Sequence, residues 1–96
     1  MARRRPRPLS AQEAAQLFDL LGEPTRLRVL LALRDKGEAY AGDLTAVAHM
    51  SQQATNYHLA QLRRWGVVRV RQAGQQVFYR ITSPLVLELL REVEEG

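Results

Sequence analysis

The stretch Ser51–Gly66, "SQQATNYHLAQLRRWG", opens on polar and small residues and then turns apolar on one side only. Ser51 is a good N-cap and Gly66 a good stop, so the spacing predicts a helix running from just after Ser51 to Trp65. Along it Leu59, Leu62 and either Thr55 or His58 point inward, while Gln52, Gln53, Asn56, Tyr57 and Arg63 stay outside. A helix built only to fill a core has no use for such a polar start. Amides at that end suit a partner rich in hydrogen-bond donors and acceptors.

Working back from it, Ala41–Ala48 reads as a short helix joined to the longer one by a His49-Met50 turn. Histidine is among the few residues that tolerate a positive φ, so His49 fits where such turns usually carry glycine. Further upstream, Ser10 and Glu13 form the S-x-x-E capping box of a first helix over Ala11–Leu21. Gly22 and Pro24 are expected to break it, Thr25 to cap a second helix carrying Leu27, Leu30, Leu31 and Leu33, and Gly37 to end that one.

Downstream the period changes from 3.6 to 2. Val68 and Val70 alternate with Arg69 and Arg71, and Val77, Tyr79 and Ile81 with Phe78 and Arg80; Gly74 supplies the turn between. This is a β-hairpin with an apolar face and an arginine-bearing face. Ser83-Pro84 then opens a last helix, whose Leu85, Val86, Leu87, Leu89, Leu90 and Val93 exceed what one core face can hide. That surplus points to a subunit contact.

The predicted order is therefore helix–helix–helix–helix–strand–strand–helix. It is a mainly α fold with a β-hairpin, a winged helix-turn-helix, with residues 1–8 as a basic arm and 9–96 as the domain. The totals agree with one small domain: 96 residues and a hydrophobic share of 46%. No apolar run approaches the ~20 residues of a membrane span. No apolar stretch follows the basic start "MARRRPRPLS" as a secretion signal requires, so a cytoplasmic location is expected. The sequence contains no cysteine, which excludes disulfides and thiolate metal sites.

Charge is distributed unevenly. All ten acidic residues lie at or before Asp43 or at or after Glu88. Between Leu44 and Leu87 stand five arginines (Arg63, Arg64, Arg69, Arg71 and Arg80) and no acid. Four more arginines (Arg3, Arg4, Arg5 and Arg7) crowd the start, and the net charge is +4. A basic block of this kind suits a polyanion on one face. The DNA major groove admits one helix and presents base edges that Gln and Asn can pair with. Ser51, Gln52, Gln53, Asn56 and Tyr57 are thus expected at the bases or nearby phosphates, Arg63, Arg64, Arg71 and Arg80 at the backbone, and Arg69 and Gln75 also at the DNA. Double-stranded DNA is the expected partner; a protein-binding assembly module is the alternative. No enzyme chemistry is expected. The serines Ser10, Ser51 and Ser83 read as helix caps, and His49 and His58 as structural residues. Trp65 and Phe78 are expected in core or wing packing.

Three stretches carry a family resemblance: "LGEPTRLRVLLAL" from Leu21, "SQQATNYHLAQLRRWGVV" from Ser51 and "GQQVFYRI" from Gly74. In this order and spacing they resemble the ArsR (arsenic-repressor) family of dimeric winged-helix transcription regulators. The resemblance implies a homodimer joined by the first and last helices and bound to an imperfect palindrome. It places Leu17, Phe18, Leu21, Leu85, Leu89, Leu90 and Val93 at the subunit contact. One departure stands out. Metal-sensing members carry "ELCVCDL" where this chain reads "EAYAGDL", Glu38–Leu44, so Tyr40 and Gly42 occupy the two cysteine positions. The last helix, "SPLVLELLREVEEG", also lacks the His and Asp with which other members bind zinc. No metal or other cofactor is expected, leaving a small organic molecule, a protein or nothing as effector.

Overall fold

The structure is a computed structural model and describes residues 8–94; the basic stretch 1–7 and residues 95–96 lie outside them. The elements are α1 (Ala11–Leu21), α2 (Pro24–Lys36), β1 (Ala39–Tyr40), α3 (Ala41–Ala48), α4 (Gln52–Arg64), β2 (Val68–Ala73), β3 (Gln76–Ile81) and α5 (Pro84–Leu90). Helix follows helix as the sequence predicts, with one addition. Ala39 and Tyr40 pair antiparallel with Tyr79 and Phe78, which makes the hairpin a three-stranded sheet of order β1-β3-β2. Two residues are too few to show a period, so only the pairing reveals this strand.

The helix ends follow local chemistry. Ser10 Oγ accepts from Glu13 N at 3.1 Å while Ser10 N donates to Glu13 Oε1 at 3.0 Å, closing the capping box of α1. Ser83 Oγ accepts from Val86 N at 3.2 Å ahead of α5, where Pro84 takes the first position. His49 holds the turn between α3 and α4 at φ 54°, ψ 41°, in the left-handed region. The start of α2 differs from the expectation. α1 does stop at Leu21, with Gly22 as its cap, but α2 starts already at Pro24, because a first-turn position has no N–H bond for proline to forfeit. The cap is Glu23, not Thr25: its carboxylate accepts from Thr25 N at 3.1 Å and Arg26 N at 2.9 Å.

Leu30 and Leu33 of α2, Leu44 of α3, Leu59 and Leu62 of α4 and Val68 of β2 are fully buried and make one core, closed by Val86 and Leu90 of α5. Helix α5 is held from below by Arg34, whose Nη1 donates to Leu90 O at 2.5 Å and Val93 O at 2.6 Å while its Nε pairs with Asp35 at 2.9 Å. A cation at the last carbonyls of a helix satisfies groups that otherwise lack partners.

Burial also sorts the residues expected at a subunit contact. Leu17 and Leu90 are buried in the chain's own core, and Leu20, not singled out by the sequence, joins them. Leu21 and Val93 are half-buried against that core. Phe18, Leu85 and Leu89 remain 61%, 47% and 40% exposed. Trp65 is also a correction: expected in packing, it is 41% exposed. It caps the C-terminal end of α4, off the stripe of Thr55, Leu59 and Leu62, and borders a surface pocket with Leu17 and Leu85. No helix among the described residues is long and apolar enough to cross a membrane.

Candidate nucleic-acid interface

The start of α4 is organised by its cap. Ser51 Oγ accepts from Ala54 N at 3.1 Å, and Thr55 turns its hydroxyl inward to donate to Ser51 O at 3.0 Å. Thr55, Leu59 and Leu62, spaced by four and three, are fully buried. The same periodicity leaves Gln52, Gln53, Asn56 and Tyr57 outside, together with Ser51. Tyr57 is 59% exposed, with its ring edge-on to His58 at 5.5 Å. Arg63 and Arg64 are exposed at the far end of the helix. The polar residues expected to read a partner thus share one free surface, anchored from behind by leucines.

His58 is half-buried and faces the α2 cap, its Nδ1 lying 3.8 Å from Glu23 Oε2, beyond hydrogen-bond length. Partial burial pushes the Glu23 carboxyl up, but the Arg26 and Thr25 N–H donors, with the charges of His58 and Arg26, outweigh it and hold the group below its ordinary value of 4.5. A depressed folded-state value means stability that is present above 4.5 and lost as pH falls through the folded value. Glu23→Ala should therefore cost about 1 kcal/mol at neutral pH, typical of a lost cap. Chemical denaturation should show the gap from wild type closing in acid below 4.5. A gap of constant size down to acid would mean that the carboxylate does not cap α2.

The wing forms as its alternation predicts. Val68↔Ile81 and Val70↔Tyr79 lie on the inner face, whereas Arg69↔Arg80 and Arg71↔Phe78 lie on the outer one. Like charges directly opposite each other oppose sheet formation. Arg69 and Arg80 nevertheless stand as partners, and among the described residues neither they nor Arg63 and Arg64 make an ion pair. At the wing tip Gln75 and Gln76 border an open groove of about 420 Å³ whose other wall includes Gln52 and Thr45. The hairpin tip and the start of α4 therefore face each other across this polar groove.

Arg71 is the exception on that face. Its Nε and Nη2 donate to Glu38 at 2.8 and 2.7 Å, and its guanidinium carbon sits over the Phe78 ring, 4.8 Å from the centroid. Phe78 meets Tyr40 edge-on at 6.3 Å, so the wing packing expected for Phe78 is present. The Arg71 hydrogen bonds hold the Glu38 carboxyl below the usual carboxylate range, helped by the charges of Arg71 and Arg80. Glu38 is not among the residues that the sequence places at the interface. It is remote from the wing along the chain, and only the pairing of β1 with β3 brings it there. At the two positions that the resemblance matches to cysteine, Tyr40 lays its ring over Gly42: a Cβ on Gly42 would sit 2.7 Å from Tyr40 Cε2. The pair is used for packing.

Residues 21–71 match the family described as "Helix-turn-helix domain". The chain is 39% identical over 81 residues to the arsenical resistance operon repressor of Escherichia coli, covering 84% of this chain and 69% of that protein. The chain belongs to the ArsR family. It is similarly 35% identical over 85 residues to the transcriptional repressor SmtB homolog of Synechocystis, matching 88% of itself but only 64% of that relative's length. Among solved structures, the repressor BigR of Xylella fastidiosa superposes with a TM-score of 0.76 at 32% identity, over 84% of this chain and 82% of that one. An ArsR-family chain is a DNA-binding transcription regulator with a winged helix-turn-helix fold. The exposed face of α4 and the arginine face of the wing are its candidate DNA-contacting surfaces.

Proposed function

We propose that this ArsR-family regulator acts in the cytoplasm as a homodimeric repressor, binding an imperfect palindrome through the major groove. The observation that carries the reading is the split of α4. Gln52, Gln53, Asn56 and Tyr57 are exposed on one side while Thr55, Leu59 and Leu62 are closed off on the other. The amides pair with base edges, and Ser51, Arg63, Arg64, Arg69, Arg71, Gln75 and Arg80 serve phosphates. Repression is favoured by the relatives named repressors. The dimer is supported by Phe18, Leu85 and Leu89, large apolar side chains left open to water by the chain's own fold. A twofold mate would set the two reading helices about 34–36 Å apart, one turn of DNA. The effector is a small organic molecule or a protein, if one acts at all; the chain has no thiolate with which to sense metal.

A gel shift with the DNA upstream of its own gene, against random duplex, tests this reading. Specific retention of the former is expected, and equal binding to both would defeat sequence-specific recognition. Gln53→Ala or Asn56→Ala should weaken binding to the cognate site by about 1–3 kcal/mol and alter base preference. As surface changes, they should leave stability within about 0.5 kcal/mol of wild type. An equal loss on every duplex would mean that these side chains do not read bases.

A further inference from the structure

Glu38 brings an acid to a hairpin whose own strands carry none. The sequence from Leu44 to Leu87 contains no carboxylate, yet the short β1–β3 pairing delivers one from outside that block to the middle of the wing. There it holds Arg71 by a two-point fork at 2.7 and 2.8 Å. Resting on the proposed DNA reading, we infer that Glu38 is a resident counter-ion, which keeps Arg71 neutralised in the free protein and competes with the DNA phosphate for it.

A carboxylate beside a DNA-facing arginine can act in two ways. It can aim the guanidinium, which would strengthen binding, or cancel its charge, which would weaken it. Phe78 decides between them. The guanidinium carbon already sits over that ring, 4.8 Å from its centroid, and Phe78 is fixed in turn by its place opposite Arg71 and by the Tyr40 edge. With the ring holding the guanidinium in place, the carboxylate is redundant for aim, and its remaining effect is charge. The fork occupies Nε and Nη2, so a phosphate arriving from solvent meets a pair with no net charge and a free Nη1. Exposed pairs of this sort are weak enough to exchange partners. In the free protein the same carboxylate also eases the crowding of positive charge at Arg80, whose field reaches it.

The test needs no knowledge of the operator, because phosphate contacts are blind to sequence. Binding of wild type, Glu38→Gln and Glu38→Gln/Arg71→Ala to a random-sequence duplex is measured by fluorescence anisotropy across a salt series. A thermal melt checks that each variant folds. Glu38→Gln should bind more tightly, and its log K against log salt should be steeper by about 0.9, the increment for one more phosphate neutralised. Its advantage over wild type should then shrink roughly 3.5-fold between 50 and 200 mM salt. Adding Arg71→Ala should remove both gains. A Glu38→Gln protein that binds more weakly than wild type would show that the carboxylate aims Arg71, and an unchanged slope would show that the pair stays clear of DNA. Either result overturns the inference while leaving DNA binding intact. Wild type that retains no duplex even at low salt would overturn the DNA reading and this inference with it.

Discussion

Leu89→Asp is expected to give a monomer and to lower affinity for the operator by about 10²- to 10⁴-fold. That range is what is lost when two linked binding modules become separate ones, with no contact to DNA altered. The substitution is informative because Leu89 is 40% exposed and so contributes little to the fold of its own chain. It lies one turn from Leu85, which is 47% exposed, and the two share a helix face. A charge there should abolish an apolar contact between subunits without opening the core. Leu87, at 37% exposed, is the internal control: two residues from Leu85 and Leu89, it points to the other side of α5. Leu87→Asp should stay dimeric. Sedimentation equilibrium and a gel shift on the same preparations give both readouts. If Leu89→Asp remains a dimer with full affinity, the subunit contact does not use this face of α5.

The second large effect is expected at Leu59, directly behind the reading edge. Leu59 has no exposed surface, and truncating such a leucine to alanine costs about 2–5 kcal/mol through lost burial and the cavity left behind. Against a total of about 5–15 kcal/mol for a domain, that is a large share. In a chain of this length each kcal/mol moves the melting temperature by about 4–8 °C, so Leu59→Ala should melt at least about 8 °C lower. The comparison must be made at one protein concentration, since association adds to apparent stability. Asn56→Ala, at an exposed position of the same helix, should melt like wild type. The pair of variants separates what α4 does for the core from what it does for DNA. A Leu59→Ala protein with wild-type melting would show that this side chain does not anchor the helix.

Much of the candidate interface is legible in the sequence, for reasons that particular residues make plain. The span of α4 follows from Ser51, Gly66 and the spacing of Thr55, Leu59 and Leu62, all within a few turns of one another. The wing follows from the alternation about Gly74, and the turn at His49 from that residue's tolerance of positive φ. The start of α2 misleads although it too is local: Thr25 has the usual cap side chain, but Pro24 ahead of it can already be the first helical residue. The choice between them rests on whether the Glu23 carboxylate bonds Thr25 N and Arg26 N. For Trp65 size alone suggests packing, and size does not say where a stripe ends.

The sequence alone determined where most helices begin and end, which side of α4 and of the wing is apolar, and that no thiolate chemistry is possible. Each of these depends on neighbours within a turn or a hairpin, where the covalent chain itself fixes the geometry. Only the tertiary structure decided that Glu38 faces Arg71, that Arg34 ties down the end of α5, and that Leu17 and Leu90 turn inward while Phe18 and Leu89 do not. Those pairings join residues from distant parts of the chain, and no local spacing encodes a contact that exists only after the helices have packed.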